Sequence, residues 1–238
     1  MNKEDFDITA LIEDFGEFEK RSYARFKDLY EQIKDDRKFI AGAQTDQLDN
    51  TLIGDEVPNC KLNVVQNAIR TVVNSYLPFQ YKWQYDNPDL NTLSNQFLSD
   101  VDNYTASVEA LSNAVGTALG VIVFSTEEDI DGSIKPIMYS IPDVTNVRLD
   151  PDATKLNFAD ANKAAIVELK SKEWIENNYG IDVHNVEKPL INISEKYDSK
   201  KQIPLVTYYV KEDNQVVVYK LVNDTLLEEA YEKFFKGN

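Results

Sequence analysis

The sequence predicts an α+β fold: long amphipathic helices come first, and a small, mostly antiparallel sheet follows. Three observations predict it. Apolar residues recur at three- and four-residue spacing through most of residues 8–119. From residue 120 the pattern changes to alternation and short continuous apolar runs. Turn signals such as Asp131-Gly132 punctuate that second part. The chain is expected to divide into a helical region, 1–119, with one aromatic strand at 79–85, and a strand-rich α+β region, 120–238.

The elements follow in order. Residues 8–38 read as one long helix, with Ile8, Leu11, Ile12, Phe15, Phe18, Phe26, Leu29 and Ile33 on one stripe and small Ser22 filling a stripe position. Such a stripe needs a partner along its length, either the rest of its own domain or a neighbouring subunit. Residues 39–60 lose periodicity around Gly42, Gly54 and Pro58, and read as a long loop with a functional or interface role. Residues 61–77 read as a helix, with Leu62, Val65, Ala68, Ile69, Val72, Val73 and Tyr76 at helical spacing, and Pro78 ends it. Phe79, Tyr81, Trp83 and Tyr85 then alternate with polar residues as a half-buried strand.

Leu90 to Leu119 is read as one helix running directly into the apolar strand Val121–Phe124. Asp131-Gly132 marks a hairpin turn, and Ile134–Ile141 is its second strand. Gly116 and Gly120 are read as close packing or helix termination. Val144–Leu149 and Ala164–Leu169 are predicted strands, with a turn at Asp150-Pro151-Asp152. Ser171 caps a short helix that stops at Gly180. Residues 182–201 read as a charged loop. Ile203–Val210 and Val216–Val222 form a meander-like pair joined at Asp213-Asn214, and Leu226–Phe235 is weakly helical. Tyr231, Phe234 and Phe235 call for cover, either by folding back on the sheet or by a polypeptide that continues further.

Composition narrows the function. One Cys excludes a disulfide framework within the chain, and one Cys with one His excludes Cys/His zinc sites, which need about four such ligands. The formal charge of −16 argues against a tight, sequence-independent DNA binder, which needs Lys and Arg to neutralise phosphates. No run reaches the roughly 18 apolar residues of a membrane span. The acidic N-terminus lacks the pattern of a secretory peptide, so an intracellular setting, or assembly inside a cell, is expected.

A search for chemistry finds no phosphate-binding loop and no Gly-x-Ser-x-Gly elbow. His184 lies in a charged loop beside Asp182 and reads as a solvated residue. Cys60 precedes a helix, a position that lowers a thiol pKa, but an incidental thiol is the better reading. Glu127, Glu128 and Asp131, and the pair Asp150 and Asp152, carry oxygen ligands suited to a hard cation, yet neither fits the calcium-loop pattern. Both stretches sit at predicted turns, where Asp serves backbone hydrogen bonding. The aromatics at 79–85 suit base stacking, but Lys82 is their only neighbouring cation. Lys196, Lys200 and Lys201 form a small basic patch diluted by Glu195 and Asp198. The residues by themselves predict a structural or interaction protein with no catalytic, cofactor or metal site.

The order of elements resembles the N-terminal part of tailed-phage portal proteins of the podovirus type. The likeness runs through the charged helix, the loop around Gln44–Asn50 and the helix Asn63–Tyr76. It continues through the helix-to-strand passage at Leu119–Phe124, Lys135-Pro136-Ile137 and Val147-Arg148-Leu149-Asp150. Ala159-Asp160-Ala161, Lys172-Glu173-Trp174-Ile175, Tyr179-Gly180-Ile181 and the strand pair from Ile203 complete it. The resemblance implies a wing-like fold and a non-enzymatic virion protein. It also implies a dodecameric ring at one capsid vertex, through which DNA is packaged and ejected without being held. The implied partners are the capsid protein, the terminase and the tail adaptor. Another phage virion or head–tail adaptor protein, working as an interaction module, is the alternative. A metal-dependent nuclease using Asp150 and Asp152 is a third.

Overall fold

The computed structural model describes residues 8–42, 64–76, 86–100, 103–128, 132, 134–155, 157–181, 191, 202–212, 215–223 and 225–227. The fold is α+β, with helices first and antiparallel strands after. The chain forms two compact units: Met1–Asp28 with Thr145–Asn238, and Leu29–Val144. Helix α1 (Ile8–Ile40) is continuous across the boundary between them. Among the described residues, no helix is long and apolar enough to cross a membrane.

The first unit is built on a five-stranded antiparallel meander. Its strands are β3 (Val147–Arg148), β4 (Lys163–Lys170), β5 (Ile203–Glu212), β6 (Gln215–Val222) and β7 (Thr225–Leu226), hydrogen-bonded in that order. Alternate residues of a strand point to opposite faces. Val206 and Tyr208 of β5 therefore join one core, with Ala165, Val167, Tyr219 and Leu221, while Ile203 and Leu205 join another. Leu11, Phe15 and Phe18 of α1 cover the first face. Phe15 meets the Tyr208 ring edge-on at 5.1 Å between centroids, and Phe18 meets it at 5.3 Å. Ile175 of α5 (Lys172–Tyr179) packs with Ile203, Leu205, Val222 and Leu227 on the second. The Ser171 hydroxyl caps α5 by accepting from the Trp174 N–H, and Gly180 ends the helix at φ +67°. Because both faces are covered, β4 and β5 read in sequence as nearly continuous apolar runs.

The second unit holds the remainder of α1 with α2 (Val64–Tyr76), α3 (Pro88–Asp100), α4 (Asn103–Thr117) and a hairpin of β1 (Ile122–Glu128) and β2 (Ile134–Ser140). Helix α4 packs against α2 and against both hairpin strands. Its end explains two glycines. A methyl group on Gly116 would lie 2.9 Å from Ile40 Cδ1 and 3.3 Å from Ile69 Cδ1, and one on Gly120 would lie 2.1 Å from the Ala110 carbonyl oxygen. Gly120 is thus required by a close backbone approach where the chain leaves the helix. Arg37 of α1 closes this unit, with Nη1 on Asp143 at 2.6 Å and Nη2 on the Pro142 carbonyl at 2.5 Å.

Several sequence expectations change in detail. The 90–119 stretch, read as one helix, carries α3 up to Asp100 and α4 from Asn103 to Thr117, and residues 101 and 102 lie outside the described residues. Val144–Leu149, expected as a strand, is a 3-10 turn at Val144–Asn146 followed by the two-residue β3. The turn presents the Thr145 carbonyl to the Arg148 side chain, which an extended run would not do. Leu226, expected to open a helix, pairs with Leu221 in the sheet, because β6 offers it a free edge. Helix α1 extends two residues beyond 38. The aromatic strand at 79–85, most of the 39–60 loop, the 182–201 loop apart from Ile191, the turn at 213–214 and the tail beyond Leu227 lie outside the described residues.

Candidate functional site

In the first unit a polar seam joins α1 to the segment 145–163. Its centre follows from helix geometry. Glu19 lies four residues after Phe15 and three before Ser22, so it shares their inward face. There its carboxylate meets Arg148 of β3, Nε to Oε2 at 2.6 Å, with both side chains 2% exposed. Arg148 also donates through Nη1 to the Thr145 carbonyl at 2.7 Å, and its guanidinium lies 5.9 Å from the Tyr23 ring centroid. One turn along, the buried Ser22 hydroxyl donates to the Leu149 carbonyl at 2.7 Å. Arg25 donates to the Pro151 and Ala153 carbonyls, and Arg21 pairs with Asp152 at 2.5 Å in a half-exposed position. Such an exposed pair contributes about 0–1 kcal/mol. A buried pair is different: breaking it strands a charge out of water.

The loop from 150 to 163 is closed by two carboxylates. Asp150 is buried, and its Oδ1 accepts from the Asp152 N–H at 2.8 Å. Its Oδ2 accepts from the Asn162 and Lys163 N–H groups at 2.6 and 3.1 Å. Asp160 closes the inner turn, accepting from the Thr154 hydroxyl at 2.6 Å, the Thr154 N–H at 2.9 Å and the Lys155 N–H at 3.1 Å. The Thr154 hydroxyl, with these backbone donors, holds the Asp160 carboxyl well below the usual carboxylate range. Phe158 sits in this loop at φ +54°, an uncommon conformation for a bulky residue, with its ring edge-on to Phe26 of α1.

Asp14 ties α1 to the sheet, pairing through Oδ1 with Lys163 at 2.5 Å and accepting from the Tyr208 hydroxyl through Oδ2 at 2.8 Å. Burial, reinforced by that carboxylate, holds the Tyr208 proton well above the ordinary phenol range. A groove of about 220 Å³ lies here, lined by Asp14, Glu17, Arg21, Asp152 and Lys163 among others.

The structure brings Asp150 and Asp152 together, but directs them to different work. Asp150 holds backbone N–H groups, and Asp152 holds Arg21. Glu127 and Glu128 lie in β1 opposite Lys135 and Ile134. Among the described residues, no group of three His, Cys, Asp or Glu side chains is placed to hold a metal ion. His184, Cys60, Asp131, Lys196, Lys200, Lys201 and the aromatics of 79–85 lie outside the described residues. Sequence reasoning missed Glu19, Arg148, Asp160 and Tyr208. Glu19 carried a signal, an acid on the apolar stripe of a long helix. Arg148 carried none.

The polar groups of this seam hold α1 to the 145–163 segment. Comparison with known families gives the class of protein. The chain belongs to the phage P22-like portal protein family, whose model matches residues 17–237. No curated protein matches it.

Proposed function

We propose that this chain is a portal subunit, one of a ring of identical copies at a single capsid vertex. DNA enters and leaves through the channel of that ring, the terminase docks on it during packaging, and the tail adaptor follows. In this reading the ring is dodecameric, its neighbours include the capsid protein, and it assembles in the host cytoplasm. The strand-rich region from 120 onward is the wing-like part. The observation that carries the reading is the family match across nearly the whole chain. The charge of −16 supports it, because a conduit that does not grip phosphate suits passing DNA.

Imaging of virions with a label on this chain tests the proposal. One labelled vertex per particle is expected. Label spread over the whole shell would overturn it, and a chain located only in the tail would favour the adaptor alternative.

A further inference from the structure

The apolar face of α1 does not by itself fix where the helix lies along the sheet. Consider α1 moved by three residues, about 4.5 Å along its axis, so that each site receives the residue three earlier. Ile8, Ile12, Phe15 and Tyr23 then replace Leu11, Phe15, Phe18 and Phe26. Each newcomer is apolar or aromatic. The opposite shift brings Asp14 to the place of Leu11 and Arg21 to that of Phe18. Shifts of four bring Asp14 to the place of Phe18, or Glu19 to that of Phe15. One competing register therefore passes the hydrophobic test at the first unit's apolar sites.

The polar contacts reject it. In the shifted register Gly16 would face Arg148, and Glu19 would take the place of Ser22, against the Leu149 carbonyl. Leu11 would replace Asp14 beside Lys163 and Tyr208. In the second unit the same shift brings Lys27 to the place of buried Tyr30, a partial obstacle.

We propose that the buried Glu19–Arg148 pair is the register lock of α1, the contact that selects one of two hydrophobically acceptable positions. Exchanging a buried ion pair for apolar residues of similar volume is often neutral or stabilising, so stability alone does not account for it. Fixing a register is the best-attested use of buried polar groups. The Asp14–Lys163 and Arg21–Asp152 pairs act in the same direction but are far more exposed, and so weigh less.

Electron–electron resonance distances on the full chain test this. Spin labels are placed through Lys20→Cys with Lys211→Cys, and separately Lys20→Cys with Thr225→Cys, all exposed sites, in a Cys60→Ser background. The unmodified pair should give one distance for each label set. Glu19→Leu with Arg148→Met should add a second distance in at least one set, displaced by about 4 Å. Adding Ile8→Asp should remove it, because Ile8 is exposed in the observed register but occupies the buried Leu11 site in the other. A single unchanged distance in the double variant overturns the proposal, as does a second distance that persists with Ile8→Asp. Should the double variant not fold, Glu19→Gln with Arg148→Leu takes its place. Failure of both to fold also overturns the proposal, since a contact that only selects register is dispensable for folding.

Discussion

In the first unit helices cover both faces of a five-stranded sheet, and three large apolar side chains, Ile8, Trp174 and Val216, stand exposed among the described residues. In the second unit, with a two-stranded hairpin and four helical segments, ten do, including Val64, Leu90, Tyr104 and Phe124. The two units are comparably rich in apolar residues. What differs is layering. A sheet between two helices buries both of its faces, whereas a hairpin and helices packed around α4 leave outer faces open. The first unit is tied by long-range polar contacts from Asp14–Lys163 to Arg25 on the 151–153 carbonyls, and the second by Arg37 on Asp143 and the Pro142 carbonyl.

The first unit is most vulnerable at its seam. Arg148→Met, which strands Glu19 in the interior, should cost about 3–5 kcal/mol by denaturant unfolding. A loss under about 1 kcal/mol would mean that water reaches the pair. Phe15→Ala, beneath Tyr208, belongs in the same range, about 3–5 kcal/mol.

Gly120→Ala probes the second unit, where a side chain would run into the Ala110 carbonyl. A loss of about 1–3 kcal/mol is expected from thermal unfolding, with Gly116→Ala much milder because only Ile side-chain ends must move.

The pH limits of the first unit give a smaller effect. Asp160 titrates lower when folded than its ordinary 3.8. Its contribution is therefore present above that pH and is lost as pH falls through the folded value. Tyr208 titrates higher than its ordinary 10.0. Its contribution is present below pH 10 and is lost as pH rises toward the folded value. Unfolding curves of Asp160→Asn and Tyr208→Phe should lose the acid and alkaline dependence respectively. A wild-type pH profile in either would refute that assignment. Smallest of all, Phe124→Ser in the exposed part of the second unit should change stability by no more than about 0.5 kcal/mol. A large loss there would show that this face is covered.

Much of the fold was legible because it is local. The stripe from Leu11 to Ile33, the hairpin around Gly132, the Ser171 and Gly180 caps, strand β4 and the β5–β6 pair all follow from periodicity and turn chemistry over a few residues. The seam was less legible. Glu19 and Arg148 are 129 residues apart, and Arg148 reads as an ordinary strand charge. Asp150 was singled out as a turn residue, but its reach to the N–H groups of Asn162 and Lys163 crosses a loop that no sequence window spans.

Local pattern settled most of the helical and extended segments and which of their faces are apolar, because those properties are set by neighbours three or four residues away on a helix and two away on a strand. Which faces meet was settled by packing: α1 begins in one unit and ends in the other, Tyr208 lies under Phe15 and Phe18, and an acid on the apolar stripe is matched by one arginine. An apolar stripe attracts any apolar surface without direction, whereas a buried ion pair is satisfied at a single position, and that position is a property of the packed chain.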